Sequence, residues 1–312
     1  MSSPRLFHLG NVVVDVILRV PHLPMSGGDV LGSAGLVTAG GGFNVMAAGR
    51  RHGLETIYGG VMGSGPFAAI ARRSLRQEGI AWTQLGRPRQ DTGFVVCLIE
   101  PSGERSFATY SGAEATLTLQ HLKTLAIGPS DLVYVSGYSL LYDSNRRSLL
   151  QWLPTLPDET RVVYDPGPLT ADVPNSAQAF LLARADWISC NTTEARALTG
   201  RASAAEAAPY LIELMQRGQA IVRDGPHGCV VGQKDSPPIH IPGIQIDGVI
   251  DATGAGDAFT GAFLAALGRD CKPREAAIWA NATAALSVTR LGPATAPTYA
   301  EVRQWLIERQ GL

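Results

Sequence analysis

The sequence predicts an α/β protein in three layers, in which helices cover both faces of a mainly parallel central sheet, and it adds a small β-sheet lid. Two features of the chain carry this prediction. From Leu117 onward, short apolar segments alternate with helical patterns, as in parallel sheets with helices on both faces. Before that point, two segments at about residues 12–38 and 92–110 are rich in β-forming residues and turns. We expect these segments to form the lid of one domain spanning residues 1–312.

The first third of the chain is expected to be mostly strands and turns. Alternating β-branched residues indicate strands, and apolar residues three or four positions apart indicate helices. Pro101-Ser102-Gly103 is typical of a hairpin turn. Strands are predicted at Leu6–Leu9, Val12–Val20, Val30–Val37, Thr56–Met62, Thr92–Glu100 and Glu104–Tyr110, and helices at Asn44–His52 and Phe67–Glu78.

The remainder of the chain is predicted to alternate and then to become helical. Its predicted strands are Leu132–Val135, Arg161–Tyr164, Trp187–Cys190, Ala220–Val222 and Gln245–Ile250. Its predicted helices are Ser144–Trp152, Ser176–Ala183, Thr193–Leu198, Ala204–Arg217, Gly256–Leu267, Arg274–Thr289 and Tyr299–Arg309.

The composition excludes several classes of protein. Hydrophobic residues make up 45% of the chain and charged residues 17%, which is typical of a globular protein and not of a disordered one. The 26 basic and 27 acidic residues leave a net charge of -1, so neither nucleic acid nor an anionic membrane is an expected partner. No uninterrupted apolar stretch reaches the roughly 18 residues of a membrane span.

Location and redox state are predicted from the amino terminus and the cysteines. Asp15 interrupts the first apolar run, so the start does not resemble a signal peptide. The four cysteines lie far apart without CxxC spacing, and we expect them to be reduced. We therefore expect a cytoplasmic enzyme.

The segment Asp251-Ala252-Thr253-Gly254-Ala255-Gly256-Asp257 is the strongest candidate site. It precedes an amphipathic helical pattern, and glycines at a helix start leave N–H groups open to an anion. An anion site beside a carboxylate suits phosphoryl transfer to a hydroxyl, because the N–H groups stabilise the phosphoryl oxygens and the carboxylate accepts the proton. The alternative is an ordinary helix start whose Asp257 only stabilises the helix dipole.

A second glycine run, Gly40-Gly41-Gly42-Phe43-Asn44, allows the backbone to approach a polyhydroxylated ligand closely. The amide of Asn44 offers both a donor and an acceptor to such a ligand. A plain loop followed by a helix with Asn44 near its cap would explain the same residues.

Together these segments resemble the ribokinase-like (PfkB) carbohydrate kinases over essentially the whole chain. Ala39–Asn44 matches the amino-terminal glycine-rich signature of that family, and Asp251–Asp257 matches its carboxy-terminal signature. Shorter matches are Gly10-Asn11, Asn191-Thr192-Thr193-Glu194, Asp224–Gly228, and Asn281 followed by Ser287–Gly292. The resemblance is closest to poorly characterised sugar kinases of enteric bacteria. It implies a ribokinase-like fold and an ATP-dependent, magnesium-requiring sugar kinase.

The resemblance also implies a role for each matching residue. Asp257 would be the general base, and Gly254, Ala255 and Gly256 would form the anion hole. The sugar would be bound by residues of the lid and of the sheet edge, namely Asn11, Asp15, Gly41, Gly42, Asn44, Arg105 and Tyr138. Magnesium and the nucleotide would be bound by Asn191, Glu194, Arg223, Gly225, Gly228 and Asn281. Potassium or another monovalent cation would be bound near Asp251, Thr253, Ser287, Arg290 and Gly292.

Three departures from the family pattern bear on substrate and cation. Tyr138 stands where ribokinases have a Glu against the ribose, and Val13 stands where a sugar-binding Asn is common. Both argue against ribose itself. Ala296 replaces the last cation ligand, a Ser in ribokinases, which argues against a working cation site.

Three other functions compete with a sugar kinase, and a P-loop kinase is excluded. A nucleoside kinase of the same family remains open, because Tyr138 can stack on a base. A sugar-sensing protein without activity would not need Asp257. A nucleotide-binding oxidoreductase is a further alternative, because Gly63-Ser64-Gly65-Pro66-Phe67-Ala68 fits a dinucleotide fingerprint. However, no acidic residue closes a following strand about 20 residues on, where a ribose would be held. A P-loop is excluded because the chain has no Gly-Lys dipeptide.

The residues of the lid predict both a homodimer and a neutral substrate. Its short hairpins leave apolar edges and faces that a second lid would cover, so we expect a homodimer. The only basic residue within lid strand Glu104–Tyr110 is Arg105. An acidic sugar would need more positive charge near Asp15, so we expect a neutral polyol.

Overall fold

The computed structural model describes residues 3–85 and 89–310 and contains two separate sheets. The strands are β1 (Arg5–His8), β2 (Val12–Arg19), β3 (Ala34–Gly41), β4 (Glu55–Met62), β5 (Ala81–Leu85), β6 (Phe94–Ile99), β7 (Arg105–Tyr110), β8 (Leu132–Ser136), β9 (Arg161–Asp165), β10 (Trp187–Asn191), β11 (Gln219–Arg223), β12 (Gly228–Gln233) and β13 (Ser236–Pro242). The α-helices are α1 (Gly42–Arg51), α2 (Pro66–Gln77), α3 (Leu119–Lys123), α4 (Gly137–Leu141), α5 (Asp143–Trp152), α6 (Asn175–Arg184), α7 (Thr192–Thr199), α8 (Ala204–Leu214), α9 (Ala255–Gly268), α10 (Pro273–Ser287) and α11 (Tyr299–Gln310).

The larger sheet has the strand order β13-β12-β11-β10-β9-β8-β1-β4-β5. Its pairs are parallel except that β12 runs antiparallel to both of its neighbours. Successive residues of β8 enter different cores: Val133 and Val135 pack with α5, α6 and α8, whereas Leu132 and Tyr134 pack with α1, α9 and α10. Side chains of a strand alternate between faces, so helices cover both faces of this sheet. The predicted three-layer fold is confirmed.

The smaller sheet has the order β3-β2-β6-β7 and takes its strands from the two segments predicted for the lid. One face carries Asp15 together with Ile17, Thr38 and Cys97, which the strand register places side by side. The other face carries Val16, Leu18, Val37, Val96 and Tyr110. Several of these apolar side chains are exposed, including Val37 at 50% and Tyr110 at 66%.

Two predicted strands differ from the structure. The third strand covers Ala34–Gly41 instead of Val30–Val37, because its pairing with β2 runs from Arg19↔Ala34 to Val12↔Gly41. Glycines 40 and 41 are thus the end of a strand and not a loop. No strand forms at Gln245–Ile250, where Val249 and Ile250 are 62% and 59% exposed and bury too little surface.

The sequence analysis did not predict β5, β12 or β13. Three prolines in β13 and two glycines in β12 disfavour strand structure locally. The edge position of β13 tolerates its prolines. In the part of the chain that the structure describes, no helix has the length and apolar character needed to span a bilayer.

Candidate active site

Two helices far apart in sequence bring Asn44 and Asp257 together. Asn44 lies in the first turn of α1 and Asp257 in the first turn of α9, and the Nδ2 atom of Asn44 donates to Oδ2 of Asp257 at 3.0 Å. Gly261, one turn beyond Asp257, permits this approach. A Cβ atom there would lie 2.4 Å from the carbonyl oxygen of Val45 and 2.5 Å from the Cβ of Ala48.

The carboxylate of Asp257 is in an environment that favours its protonated form. Burial raises the pKa of Asp257 to about 6, and the negative charge of Asp165 adds to this effect. The hydrogen bond from Asn44 and the charge of Arg223 oppose it. A carboxyl with this pKa can accept a proton near neutral pH.

The turn before α9 presents unpaired N–H groups beside Asp257. Gly254 has φ +74°, and a Cβ there would lie 1.8 Å from the carbonyl oxygen of Pro293, so only glycine fits. The N–H groups of Gly256 and Asp257 have no acceptor among the described residues. Free N–H groups at the start of a 14-residue helix can bind an anion. The anion hole was predicted at Gly254, Ala255 and Gly256, but the N–H of Ala255 donates to the carbonyl oxygen of Ala252 at 3.3 Å, so Gly256 and Asp257 offer the free N–H groups instead.

Arg223 lies directly beneath the anion hole. Its Nη1 atom donates to the carbonyl oxygen of Gly256 at 3.0 Å and to Oγ1 of Thr260 at 2.8 Å. Its Nη2 atom lies 3.5 Å from Oε2 of Glu194 and 3.9 Å from Oδ2 of Asp165. Arg223 was predicted to line the nucleotide site; the structure places it under the start of α9, bonded to that helix.

Asp165 is a member of this cluster that the sequence analysis missed. It ends β9, accepts a hydrogen bond from the N–H of Gly167 at 3.1 Å, and has a pKa raised by burial. Burial and the neighbouring Asp165 raise the pKa of Glu194 to about 7. A signal was present, since polar residues at the carboxyl ends of parallel strands converge on one edge.

Asn191 and Glu194 cap the start of α7. Oδ1 of Asn191 accepts from the N–H of Glu194, and Oε2 of Glu194 accepts from the N–H of Asn191, both at 2.8 Å. Oε1 of Glu194 accepts no hydrogen bond from the described residues, so it can take a water of a hydrated magnesium ion. Among the described residues, no group of three or more His, Cys, Asp or Glu side chains is arranged to ligate a metal directly.

Two side chains on the other side of the site, Asn44 and Asp15, have oxygens that accept no hydrogen bond from the described residues. Oδ1 of Asn44 is buried and unpaired, and no described residue donates to the carboxylate of Asp15. Burial raises the pKa of Asp15 to about 6. Both groups can accept hydrogen bonds from hydroxyls.

Gly40 and Gly41 lie so close to neighbouring polar groups that a side chain at either position would collide with them. A Cβ on Gly40 would lie 2.0 Å from Oδ2 of Asp15. Gly41 has φ +61°, and a Cβ there would lie 2.6 Å from the carbonyl oxygen of Asn11, which accepts from the N–H of Gly42. The side chain of Asn11 is buried, and its Oδ1 accepts from Ser139.

Tyr138 stands at the start of α4, close enough to the carboxylates of Asp257, Glu194 and Asp165 to sense their charges. Burial raises its pKa to about 12, and the charges of Asp257, Glu194 and Asp165 add to this effect. Gly167 packs near its ring, where a Cβ would lie 3.6 Å from Cε2 of Tyr138.

The residues predicted for the nucleotide side form a second cluster, around β13. Nδ2 of Asn281 donates to the carbonyl oxygen of Pro242 at 3.0 Å. Gly228 has φ +103°, and a Cβ there would lie 2.1 Å from the carbonyl oxygen of Ile241. Gly225 starts the short turn that precedes Gly228 and has φ +55°.

The residues predicted for a monovalent cation surround the carboxylate of Asp251. Oδ1 of Asp251 accepts from the N–H and Oγ1 of Thr253 and from Arg105, and Oδ2 accepts from the N–H of Gly292 at 3.1 Å. The carbonyl oxygen of Ser287 accepts from Oγ1 of Thr295 and from the N–H of Arg290. Protein donors thus occupy the Asp251 carboxylate and the Ser287 carbonyl, whereas no described residue donates to the backbone carbonyl oxygens of Asp251, Thr253, Arg290 and Gly292.

The dinucleotide fingerprint at Gly63 is not an anion site. Asp91 fills the start of α2, where its carboxylate accepts from the N–H groups of Phe67 and Ala68 at 3.0 and 2.8 Å. A Cβ on Gly65 would lie 2.4 Å from Cγ of Asp91. A pyrophosphate would have to displace this carboxylate, so the geometry contradicts the oxidoreductase alternative.

Known carbohydrate kinases resemble this chain along most of its length. Residues 4–299 match the family described as pfkB family carbohydrate kinase. The uncharacterized sugar kinase YegV of Escherichia coli is 31% identical, over 94% of this chain and 91% of that protein. A ribokinase of Haemophilus influenzae is 28% identical, over 96% of this chain and 97% of that protein.

Solved structures show the same fold. Ribokinase from Giardia lamblia superposes with a TM-score of 0.84 at 21% identity, over 99% of this chain and 100% of that chain. Arabidopsis thaliana ribokinase in complex with ribose and ATP gives 0.79 at 22% identity, over 98% and 99%. On the match over residues 4–299, the chain belongs to the pfkB family of carbohydrate kinases.

Proposed function

We propose that this protein is an ATP-dependent kinase that phosphorylates a hydroxyl of a small neutral sugar. The observation that carries the proposal is the carboxylate of Asp257, held at 3.0 Å by Asn44 beside the free N–H groups at the start of α9. In this reaction the acceptor hydroxyl gives its proton to Asp257 while its oxygen forms a bond to the γ-phosphorus of ATP. The bond from that phosphorus to the β,γ-bridging oxygen breaks, and ADP leaves with the electron pair.

The residues around Asp257 bind the phosphoryl group, magnesium and the nucleotide in this reaction. The free N–H groups of Gly256 and Asp257 stabilise negative charge on the transferred phosphoryl oxygens, the turn at Gly254 and Ala255 exposes them, and Arg223 adds positive charge beneath them. Glu194 holds a magnesium ion through water, and Asn191 fixes Glu194 through the capping hydrogen bonds. Gly225, Gly228 and Asn281 shape the nucleotide site. Relatives support ATP as the phosphoryl donor, since one similar ribokinase was solved with ribose and ATP.

The acceptor is expected to be neutral. Asp15 and Asn44 offer acceptor atoms, which suit hydroxyl donors and repel a carboxylate. Arg105 is already paired with Asp251. Tyr138 lies against the site with its ring available to stack on a pyranose or a base, so a nucleoside is the second candidate acceptor.

We further propose that the small sheet acts as a lid and that two lids pair in a homodimer. Its outer face exposes apolar residues, including Val37 and Tyr110, and unpaired sheet surfaces of this kind favour association.

The test is ADP formation with Mg-ATP across neutral hexoses, pentoses, sugar acids and nucleosides. We expect turnover with a neutral sugar at a kcat/KM above that for every sugar acid. Highest kcat/KM for a 2-keto-3-deoxy sugar acid would contradict the neutral acceptor, and highest kcat/KM for a nucleoside would favour the second candidate. Sugar binding without ADP formation from any compound would indicate a sensing protein.

A further inference from the structure

An ion pair joins the lid to the loop that leads into the anion hole. Arg105 lies on lid strand β7, and its Nη2 atom is 2.7 Å from Oδ1 of Asp251, which is 146 residues away in sequence. The side chain of Asp251 is 6% exposed and that of Arg105 is 27% exposed. A pair this well shielded is screened much less by salt than a surface pair.

Asp251 is the residue that organises this loop. Its two carboxylate oxygens bind the N–H and hydroxyl of Thr253 and the N–H of Gly292. They therefore tie residues 251–254 to the turn at 290–293, where the carbonyl oxygen of Pro293 packs against Gly254. The position of the free N–H groups at the start of α9 depends on this arrangement.

The same loop is where the family resemblance implies a monovalent cation. Ala296 supplies no side-chain oxygen there, and protein donors occupy the carbonyl of Ser287 and the carboxylate of Asp251. The backbone carbonyls of Asp251, Thr253, Arg290 and Gly292 accept no hydrogen bond from the described residues, so the charge of Arg105 is the main feature that opposes a cation. An alkali ion would also lie close to the Arg105 guanidinium, whose like charge would oppose its binding.

We propose that Arg105 is a positioning residue that supplies, from the lid, the fixed positive charge that orders the anion-hole loop through Asp251. Because the guanidinium belongs to the lid, the loop is fully ordered only when the lid contacts the core, and no alkali cation is required. This inference rests on the proposed kinase function.

The first experiment compares Arg105→Met with Arg5→Met. Arg5 pairs with Asp131 at 2.7 Å with nearly the same exposure, 32% and 3%, but lies outside the site. We expect Arg105→Met to lower kcat roughly tenfold, within the usual range of coupling between sites, with little change in the KM for the sugar. Arg5→Met should leave kcat unchanged. An increase in the sugar KM alone would instead mean that Arg105 contacts substrate and would overturn the proposal.

A double-mutant cycle with Asp251→Asn tests whether Arg105 acts through Asp251. We expect Arg105→Met to have no further effect on kcat when Asp251→Asn is present. Additive losses in the double variant would contradict the proposal. Wild-type rates should be equal in potassium chloride and in tetramethylammonium chloride of the same ionic strength, and specific activation by potassium would also contradict it.

A measurement without substrate separates this inference from the proposed function. Hydrogen–deuterium exchange of peptides covering residues 251–257 and 288–296 should be faster in Arg105→Met than in the wild type and in Arg5→Met. Equal exchange in all three proteins overturns the inference, whether or not any sugar is phosphorylated. Faster exchange together with no turnover of any acceptor retains the inference and rejects the kinase function.

Discussion

The floor of the site, which is formed by α1 and α9, is closely packed, whereas the lid sheet leaves one face exposed. On the floor, α1 and α9 pack so closely at Gly261 that a single methyl group would not fit, and this contact fixes Asn44 against Asp257. The lid is a four-stranded sheet with one face exposed, and its inner face is joined to the anion-hole loop by the Arg105–Asp251 ion pair.

The difference separates chemistry from selection of the substrate. A close-packed helix pair has few alternative arrangements, so the carboxylate of Asp257 keeps its position. A small sheet with little buried surface can shift or change its residues without loss of the core. We therefore expect changes on the floor to reduce kcat or stability, and changes on the lid to alter assembly or substrate preference.

The largest effect is expected from Asp257→Asn. The substitution keeps the size of the side chain but removes the base, and loss of a general base typically lowers kcat by about 10²–10⁴-fold. Steady-state ADP formation measures the change, and calorimetry should show that the sugar still binds. A variant that keeps more than a tenth of wild-type turnover would show that Asp257 is not the base.

The second prediction tests the close packing of the floor. Gly261→Ala places a Cβ 2.4 Å from the carbonyl oxygen of Val45, so α1 must move away from α9. We expect the free energy of unfolding to fall by about 1–3 kcal/mol, as in other overpacked cores, and kcat to fall as Asn44 shifts.

Gly268→Ala is the matched control in the same helix. Its Cβ would meet only the side-chain ends of Leu54 and Pro4, at 3.3 Å. Denaturant unfolding of both variants gives the comparison. Equal stability of Gly261→Ala and Gly268→Ala would mean that the close contact does not position the site.

The third prediction concerns pH. Asp257 must be ionised to act as a base, and its pKa is raised to about 6, so kcat/KM should fall about tenfold per pH unit below that value. The contribution of Asp257 to the free energy of unfolding changes with pH in the opposite direction. The folded protein binds this proton more tightly than the unfolded chain, so the stabilising contribution is complete below about pH 4 and is lost as the pH rises through about 6.

The Asp257→Asn substitution should remove the pH-dependent contribution of Asp257 to the free energy of unfolding. Denaturant titrations between pH 4 and 8 on both proteins measure it as a difference, which contains Asp257 and its charge coupling to Asp165, Asp15 and Glu194. Parallel profiles for wild type and variant would contradict the raised pKa of Asp257.

The smallest effect on catalysis is expected from Val37→Lys on the outer face of the lid. A charge in an apolar interface disfavours association, so the variant should be a monomer by light scattering while kcat changes little. Leu169→Lys, at a comparably exposed apolar position outside the lid, is the control and should leave the mass unchanged. A wild-type monomer mass that does not depend on dilution would contradict the proposed dimer.

Local patterns were sufficient to predict the layers and the two glycine-rich motifs. Alternation of apolar residues and the position of glycines at helix starts are properties of short segments, so the three-layer fold, the start of α9 and the lid strands other than β3 could be predicted from sequence. β3 was predicted at Val30–Val37, and its pairing with β2 places it at Ala34–Gly41. Gln245–Ile250 was predicted wrongly because an apolar run forms a strand only if a partner buries it, and the strands β12 and β13 were missed because their glycines and prolines mask their pairing.

The sequence by itself determined that Asn44 and Asp257 stand in motifs suited to phosphoryl transfer to a hydroxyl. The tertiary structure decided which groups surround these two residues. Asn44 and Asp257 are 213 residues apart, and Arg105 and Asp251 are 146 apart. Asp165 joins Arg223 only because β9 and β11 end at the same edge of the sheet. Such contacts depend on strand order and helix packing, and burial within them sets the pKa of each carboxyl group. No short segment of the chain contains that information.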